Sequence, residues 1–222
     1  MTRQLTMFAT AIVAGTAVTI AAQSPDLQKL ARLRNPAALT EQAPATFRAN
    51  FDTSAGSFVV EVHREWAPIG ADRFYNLVKN GFYDDIRFYR VIPKFMAQFG
   101  IHGNPTISSA WRKAPPLKDE PPKQSNKRGF VSYANAGANT RSTILFINYR
   151  DNSSLDKLPG FAPFGQVVSG MEVVDKIHGG YGESQDGGGK GPRQSLIEQQ
   201  GNVYLAKEFP RLDFIKAATI GT

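Results

Sequence analysis

Apolar and polar positions begin to alternate at Thr46. Phe47, Ala49 and Phe51 are separated by Arg48, Asn50 and Asp52, and beyond Thr53-Ser54-Ala55-Gly56 a second run follows, Phe58-Val59-Val60-Glu61-Val62. A period of two puts alternate side chains on one face, so the pair reads as strand, turn, strand. From Pro68 the period lengthens. Ala71, Phe74, Tyr75, Leu77 and Val78 fall on one face of a helix that a first-turn proline opens and Gly81 closes just past Lys79-Asn80. Further strands are predicted over 87–92, 95–100, 129–134, 143–148 and 164–168, with a short helix over 171–177. Many short strands with two helices predict a mainly β fold built as a closed antiparallel barrel, because closure leaves no sheet edge exposed.

Four stretches depart from this pattern. Residues 23–45 place Leu27, Leu30, Ala31 and Arg34 at helical spacing behind Ser24-Pro25-Asp26, then run through Pro36 and Pro44. This leader reads as either a docking helix or a flexible tether, of which the tether is the expectation. Residues 101–128 hold five prolines among mixed charges and predict a long surface insertion. Residues 179–192 are glycine-rich and predict a flexible excursion. The tail from Gln194 to Ala218 regains a helical pattern through Leu196, Ile197, Val203, Tyr204, Leu205 and Phe209, and is expected to pack back on the barrel.

Composition narrows the setting. A chain of 222 residues can hold one domain with a substantial core. Residues 1–22 open with Met1-Thr2-Arg3, run apolar from about Leu5 to Ile20 and end in Ala21-Ala22 before Gln23, the pattern of a secretory signal peptide. That apolar run is about 16 residues, short of the roughly 20 a spanning helix needs. Cleavage near Gln23 is expected, giving a periplasmic or secreted chain without stable membrane insertion. The absence of cysteine excludes disulfides, thiol catalysis and a lipoprotein anchor. The net charge of +7 falls to +6 once Arg3 leaves, and the basic residues are scattered rather than set in a stripe with stacking aromatics, which argues against nucleic acid as a partner.

Three segments carry candidate chemistry. In Phe88-Tyr89-Arg90-Val91-Ile92-Pro93-Lys94-Phe95-Met96-Ala97-Gln98 a single arginine stands among aromatic and branched residues. Strand alternation would group Arg90 with Phe88 and Ile92, and Tyr89 with Val91 on the opposite face. Burying an unpaired guanidinium is costly, so either a carboxylate neutralises Arg90 or it sits at the lip of a cleft, and no acidic residue lies within the segment. The second segment is Gly129-Phe130-Val131-Ser132-Tyr133-Ala134-Asn135-Ala136-Gly137-Ala138-Asn139-Thr140, followed by Ile144-Leu145-Phe146-Ile147-Asn148. The third is Leu155-Asp156, then Gly160-Phe161-Ala162-Pro163-Phe164-Gly165-Gln166-Val167-Val168 and Gly170-Met171-Glu172-Val173-Val174-Asp175. In this order and at these spacings, the three resemble the cyclophilin family of peptidyl-prolyl cis/trans isomerases over about residues 46–182.

The resemblance implies eight antiparallel strands with a helix over each end, here with residues 183–222 as a C-terminal extension. It implies that Arg90 is the catalytic arginine. Phe95, Met96, Phe146, Leu155 and Phe161 match the family's proline pocket, Gln98 matches the amide that orients arginine and substrate, and Ala134 and Asn135 match the stretch whose backbone binds the substrate chain. Rotation about an X-Pro bond needs neither nucleophile nor metal. It needs an apolar cup for the proline ring and a donor aimed at the prolyl nitrogen, which becomes a hydrogen-bond acceptor as the amide twists out of conjugation. A planar, permanently charged guanidinium suits that task.

Three positions depart from the family: Ile144 where a second glutamine is common, Ser154 where many members have tryptophan, and Phe161 where many have histidine. Sharing a strand face with Phe146, Ile144 should line the substrate groove and offer no hydrogen bond there. One such bond to a charged group contributes about 1.5–3 kcal/mol, so a weakened isomerase is expected, and Ile144→Gln should raise its rate.

A rival reading is a binding module or holdase chaperone that grips proline-containing segments with little turnover, which Ile144 favours. A metal enzyme is disfavoured, since His63, His102 and His178 show no paired ligand spacing. Gly187-Gly188-Gly189-Lys190 superficially resembles a phosphate loop, but Gly191-Pro192 follows where a hydroxyl residue should stand. The expectation is therefore a monomeric isomerase of exported proteins that uses no cofactor.

Overall fold

The computed structural model describes residues 25–221, so the segment expected to be a signal peptide lies outside the described residues. Among the described residues eight strands form one sheet: β1 (Thr46–Thr53), β2 (Gly56–His63), β3 (Arg90–Ile92), β4 (Met96–Phe99), β5 (Phe130–Tyr133), β6 (Leu145–Asn148), β7 (Gly165–Ser169) and β8 (Ile215–Gly221). Their spatial order is β3-β4-β6-β5-β7-β2-β1-β8, with antiparallel neighbours throughout. The end strands β3 and β8 are not joined by a ladder. An isolated Arg87–Phe214 bridge and a bond from the Ile215 N–H to the Ile86 carbonyl at 2.8 Å tie the chain just ahead of them. The closed barrel expected from edge avoidance is thus a strongly curled, open half-barrel.

Alternation from Thr46 to Thr53 produces the predicted faces: Phe47, Ala49 and Phe51 are buried, while Arg48, Asn50 and Asp52 are exposed. Phe51 stacks on Phe58 of β2 with ring centroids 4.8 Å apart. Helix α2 (Pro68–Lys79) adds Phe74 against Phe164, 5.1 Å between centroids, closing the main core. Burying each such ring contributes about 1.5–3 kcal/mol. The N-terminus of α2 is satisfied by an anion: the Ile69 and Gly70 N–H groups donate to the Glu120 carboxylate at 2.7 and 3.0 Å. Glu120 also pairs with the fully buried Arg141 at 3.1 Å.

Glu120 belongs to the stretch expected to be a surface insertion. Instead, residues 101–128 contain helix α3 (Pro105–Lys113), whose Ile107 and Trp111 are buried. The leader is corrected as well. Helix α1 (Pro25–Leu33) docks rather than tethers: Leu33 is buried, its carbonyl accepts the Trp111 indole N–H at 2.9 Å, and Lys29 pairs with Asp84 at 2.6 Å. Local spacing could not show that an indole 78 residues away would cover this helix.

Helix α4 (Met171–Val174) is shorter than the predicted span to Ile177. The tail divides into helix α5 (Gln194–Glu208) and the strand β8, which pairs with β1 and supplies the sheet's last member from beyond residue 182. Ile197, Tyr204 and Leu205 of α5 form a second apolar cluster with Tyr89, Ile101, Phe209 and Leu212. The helix kinks at Gly201, whose φ of 60° and ψ of −142° lie outside helical values. There the Asn202 N–H donates to the Gly103 carbonyl at 2.9 Å.

A Cβ at position 201 would run into that same Gly103 carbonyl oxygen and meet the ring of Pro105. Gly201→Ala is therefore expected to lower stability by about 2 kcal/mol or more, from backbone strain and lost docking of α5 on α3. Urea unfolding followed by circular dichroism measures this; a change within about 0.5 kcal/mol would show that the α5 contact contributes little.

Candidate active site

β3, β4 and β6 lie side by side, and their register builds one row of the site. Arg90 faces Gln98, and Gln98 faces Phe146; one step along, Ile92 faces Met96. The strand grouping expected for residues 88 and 89 is not met. β3 begins only at Arg90, and ahead of it Phe88 turns into the main core that also holds Val91, while Tyr89 joins the cluster around α5. The Tyr89 hydroxyl still serves the row by accepting the Gln98 amide N–H at 2.7 Å. Burial pushes that phenol well above its ordinary pKa, so it remains a neutral hydroxyl.

Both outcomes posed for Arg90 occur together. Its Nε and Nη2 donate to the two carboxylate oxygens of Glu183 at 2.5 and 2.7 Å, and Nη1 donates to the Gln98 Oε1 at 2.7 Å. Three of the five guanidinium N–H groups are thus committed to these bonds; Nη1 also lies 4.0 Å from the Met96 sulfur. The arginine side chain nevertheless remains 22% exposed and lines an open cavity of about 280 Å³, of which Glu183 is not a wall. The Arg90 guanidinium holds the Glu183 carboxyl below its ordinary range, against the upward effect of partial burial.

Glu183 comes from the glycine-rich stretch expected to be flexible. That stretch is a hydrogen-bonded loop: the Gly191 N–H donates to the Glu183 carbonyl at 2.7 Å, the Gly189 N–H to the Ser184 carbonyl at 2.9 Å, and the Ser184 N–H to the Glu183 carboxylate at 2.7 Å. Its glycines have a packing reason. A Cβ at Gly189 would strike the Glu183 carbonyl, and one at Gly187 would come within 2.8 Å of the Glu183 side chain. The Gln194 N–H, at the start of α5, donates to the Asp186 carboxylate at 2.8 Å and fastens the loop to that helix.

Of the other residues proposed for the site, eight join Arg90 around the cavity. Phe95, Met96, Phe146, Leu155 and Phe161 form its apolar cup, with Gln98, Ala134 and Asn135 beside them. Phe146 and Phe161 meet edge to face, 6.0 Å between centroids. The cup is braced from behind. Asn152 donates to the Phe95 carbonyl at 2.9 Å, and buried Asn126 donates to the Phe161 carbonyl at 2.8 Å and to the Asp156 carboxylate at 2.8 Å. Burial pushes the Asp156 carboxyl up, but bonds from Ser125 and Asn126 outweigh it and hold it below its ordinary range.

Ile144 is the exception. It precedes β6 and packs against the cluster formed by Tyr89, Ile197 and Tyr204, lining a neighbouring cavity with Trp111 and Thr143 rather than the one holding Arg90. β6 begins at Leu145, two residues after the predicted start at 143, so Ile144 lies outside the strand whose face it was expected to share with Phe146. Sequence reasoning missed Glu183 and Gln194, the latter a polar wall of the arginine cavity. Neither lies in the matched motifs, and a carboxylate 93 residues from its partner leaves no local signal.

The histidines stand apart from this cavity. His63 stacks on Trp66 at 4.2 Å, and His178 meets Tyr181 at 5.3 Å. His102 is buried, which pushes its pKa down to about 4, and its Nδ1 accepts the Asn104 N–H at 2.9 Å. Among the described residues no three histidine or acidic side chains gather as a metal site.

Comparison with known proteins agrees with the geometry. The cyclophilin type peptidyl-prolyl cis-trans isomerase/CLD family model matches residues 48–198. A peptidyl-prolyl cis-trans isomerase of Acinetobacter baylyi is 35% identical over 156 residues, covering 68% of this chain and 82% of that one. Peptidyl-prolyl cis-trans isomerase A of Dickeya dadantii is 39% identical over 130 residues, covering 56% of this chain and 67% of its own length. The crystal structure of a Cryptosporidium parvum cyclophilin type isomerase superposes with a TM-score of 0.57 at 19% identity, over 80% of this chain and 98% of that one, a likeness of fold. With an arginine at the lip of an apolar cup and a family match across most of the sheet, this chain belongs to the cyclophilin-type peptidyl-prolyl cis-trans isomerases.

Proposed function

We propose that this protein catalyses cis/trans isomerisation of X-Pro bonds in exported proteins, working as a monomer outside the cytoplasm. The isomerase activity follows from the family, and the observation that carries it to this site is Arg90 on the wall of an open apolar cavity. A solved relative from Cryptosporidium parvum was crystallised in the presence of the dipeptide Ala-Pro, which supports proline-containing segments as the ligand.

The proline ring fits the cup of Phe95, Met96, Phe146, Leu155 and Phe161, while the chain ahead of it runs along Ala134 and Asn135. As the bond twists, the prolyl nitrogen gains a lone pair, and the guanidinium N–H groups left over by Glu183 and Gln98 can donate to it. That bond strengthens only as planarity is lost, so it favours the transition state over both planar isomers. Partial enclosure raises its value relative to water. Ile144 packs against the apolar cluster under α5 and not on the wall of this cavity, so the missing amide costs the reacting bond little.

Export is supported by the basic, apolar and small-residue order of residues 1–22. Among the described residues no helix is long and apolar enough to cross a membrane. Binding without turnover is the competing reading, and the Glu183 carboxylate favours it, since it offsets the Arg90 charge.

Arg90→Ala is expected to lower the isomerisation of a proline peptide by about 100-fold or more while leaving the circular dichroism spectrum intact, and Arg90→Lys to recover little of it. Wild-type peptide affinity without acceleration would establish the binding module instead. Ile144→Gln, placed in the apolar cluster rather than the arginine cavity, should leave the rate within about threefold; a tenfold gain would restore the strand-face reading drawn from sequence. N-terminal sequencing of the protein from the periplasmic fraction should give a start near Gln23; an intact Met1 would contradict processing.

A further inference from the structure

The bidentate pair between Arg90 and Glu183 lies outside everything the shared motifs explain. Glu183 does not line the cup, and its Oε1 and Oε2 take the Nε and Nη2 donors at 2.5 and 2.7 Å. On the other side Gln98 takes Nη1 at 2.7 Å and is itself anchored to the Tyr89 hydroxyl at 2.7 Å. The guanidinium plane is therefore clamped at two edges, and a clamped donor loses less freedom when it meets a twisted amide.

The clamp is built rather than incidental. Bonds from Gly189 and Gly191 wrap the loop about Glu183, and close backbone approach excludes a side chain at Gly189. The Ser184 N–H holds the Oε1 atom from behind at 2.7 Å. The loop is fastened to α5 through Asp186, and α5 rests on the cluster containing Tyr89 and Ile144. An isoleucine at 144 thus serves as landing surface for the helix to which the carboxylate's loop is fastened.

We infer that Glu183 is a positioning residue for Arg90: the glycine-rich loop supplies a carboxylate that fixes the orientation of the catalytic guanidinium. The inference rests on isomerisation through Arg90 and adds to it a dependence on a residue from outside the motif segments. A bidentate carboxylate holds both the rotamer and the plane of a guanidinium, whereas a single amide holds one edge. Because Glu183 does not line the cavity, its removal should spare peptide binding.

The test measures peptide affinity by titration and the catalysed exchange rate of a proline peptide by NMR, for wild type, Arg90→Ala, Glu183→Ala and Glu183→Gln, each checked by thermal melting. Glu183→Ala should lower kcat about tenfold with Kd unchanged within twofold, and Glu183→Gln, which keeps one acceptor, should recover part of the loss. An unchanged or raised kcat in Glu183→Ala, or a loss confined to Kd, overturns the inference. If wild type and Arg90→Ala are equally slow, the isomerase assignment to Arg90 fails instead, and the two failures are distinguishable. A measurement on the wild type guards against a misfolded variant: the Arg90 Nε–H resonance should be downfield and slow to exchange with solvent, and a rapidly exchanging one overturns the clamp.

Discussion

A guanidinium with donors to spare, held still at the edge of a greasy cup, is the constraint on which the rest of this molecule turns. Arg90 would be costly to bury alone and, if free, would sample many rotamers. The fold meets both problems with one partner near in sequence and one distant: Gln98 across a two-strand ladder and Glu183 from a loop 93 residues away. The two leave part of the guanidinium uncommitted beside Phe146 and Met96. Neutralisation by the carboxylate weakens the long-range field of the arginine, yet the directed hydrogen bonds of the remaining N–H groups act at contact distance, where geometry matters most.

The surrounding architecture exists in large part to keep that geometry. β3 is only three residues long, so it cannot fix Arg90 through its own ladder. Rigidity comes from β4 beside it and β6 beyond, from the Asn126–Asp156 network behind the cup, and from α5 packed over Tyr89. In turn α5 depends on α3, which depends on the docked leader through the Trp111 indole and the Leu33 carbonyl. Segments that flank the family motifs are thus continuous with the site in packing terms.

Much of this is legible in the sequence, wherever the information is local. Period-two alternation located β1 and β2, Pro68 and Gly81 bracketed α2, and the motif order brought nine of the ten proposed site residues to one cavity. What could not be read depended on partners distant in sequence. The leader reads as a tether because nothing nearby in sequence shows that Trp111 receives it, and the glycine run reads as flexible because its purpose, clearance around Glu183, is visible only in three dimensions. Ile144 falls just outside the strand that holds Phe146, and the cluster under α5 that receives it comes from residues distant in sequence.

The most direct measurement is two-dimensional exchange NMR on a proline-containing peptide with a substoichiometric amount of the chain from Gln23 onward. Cross-peaks linking the cis and trans resonances within a fraction of a second, far faster than the uncatalysed tens of seconds, are the predicted result. Shifts of the Arg90 and Phe146 resonances on adding peptide, with no exchange cross-peaks at any protein concentration, would contradict the account and leave a cavity that holds proline without turning it.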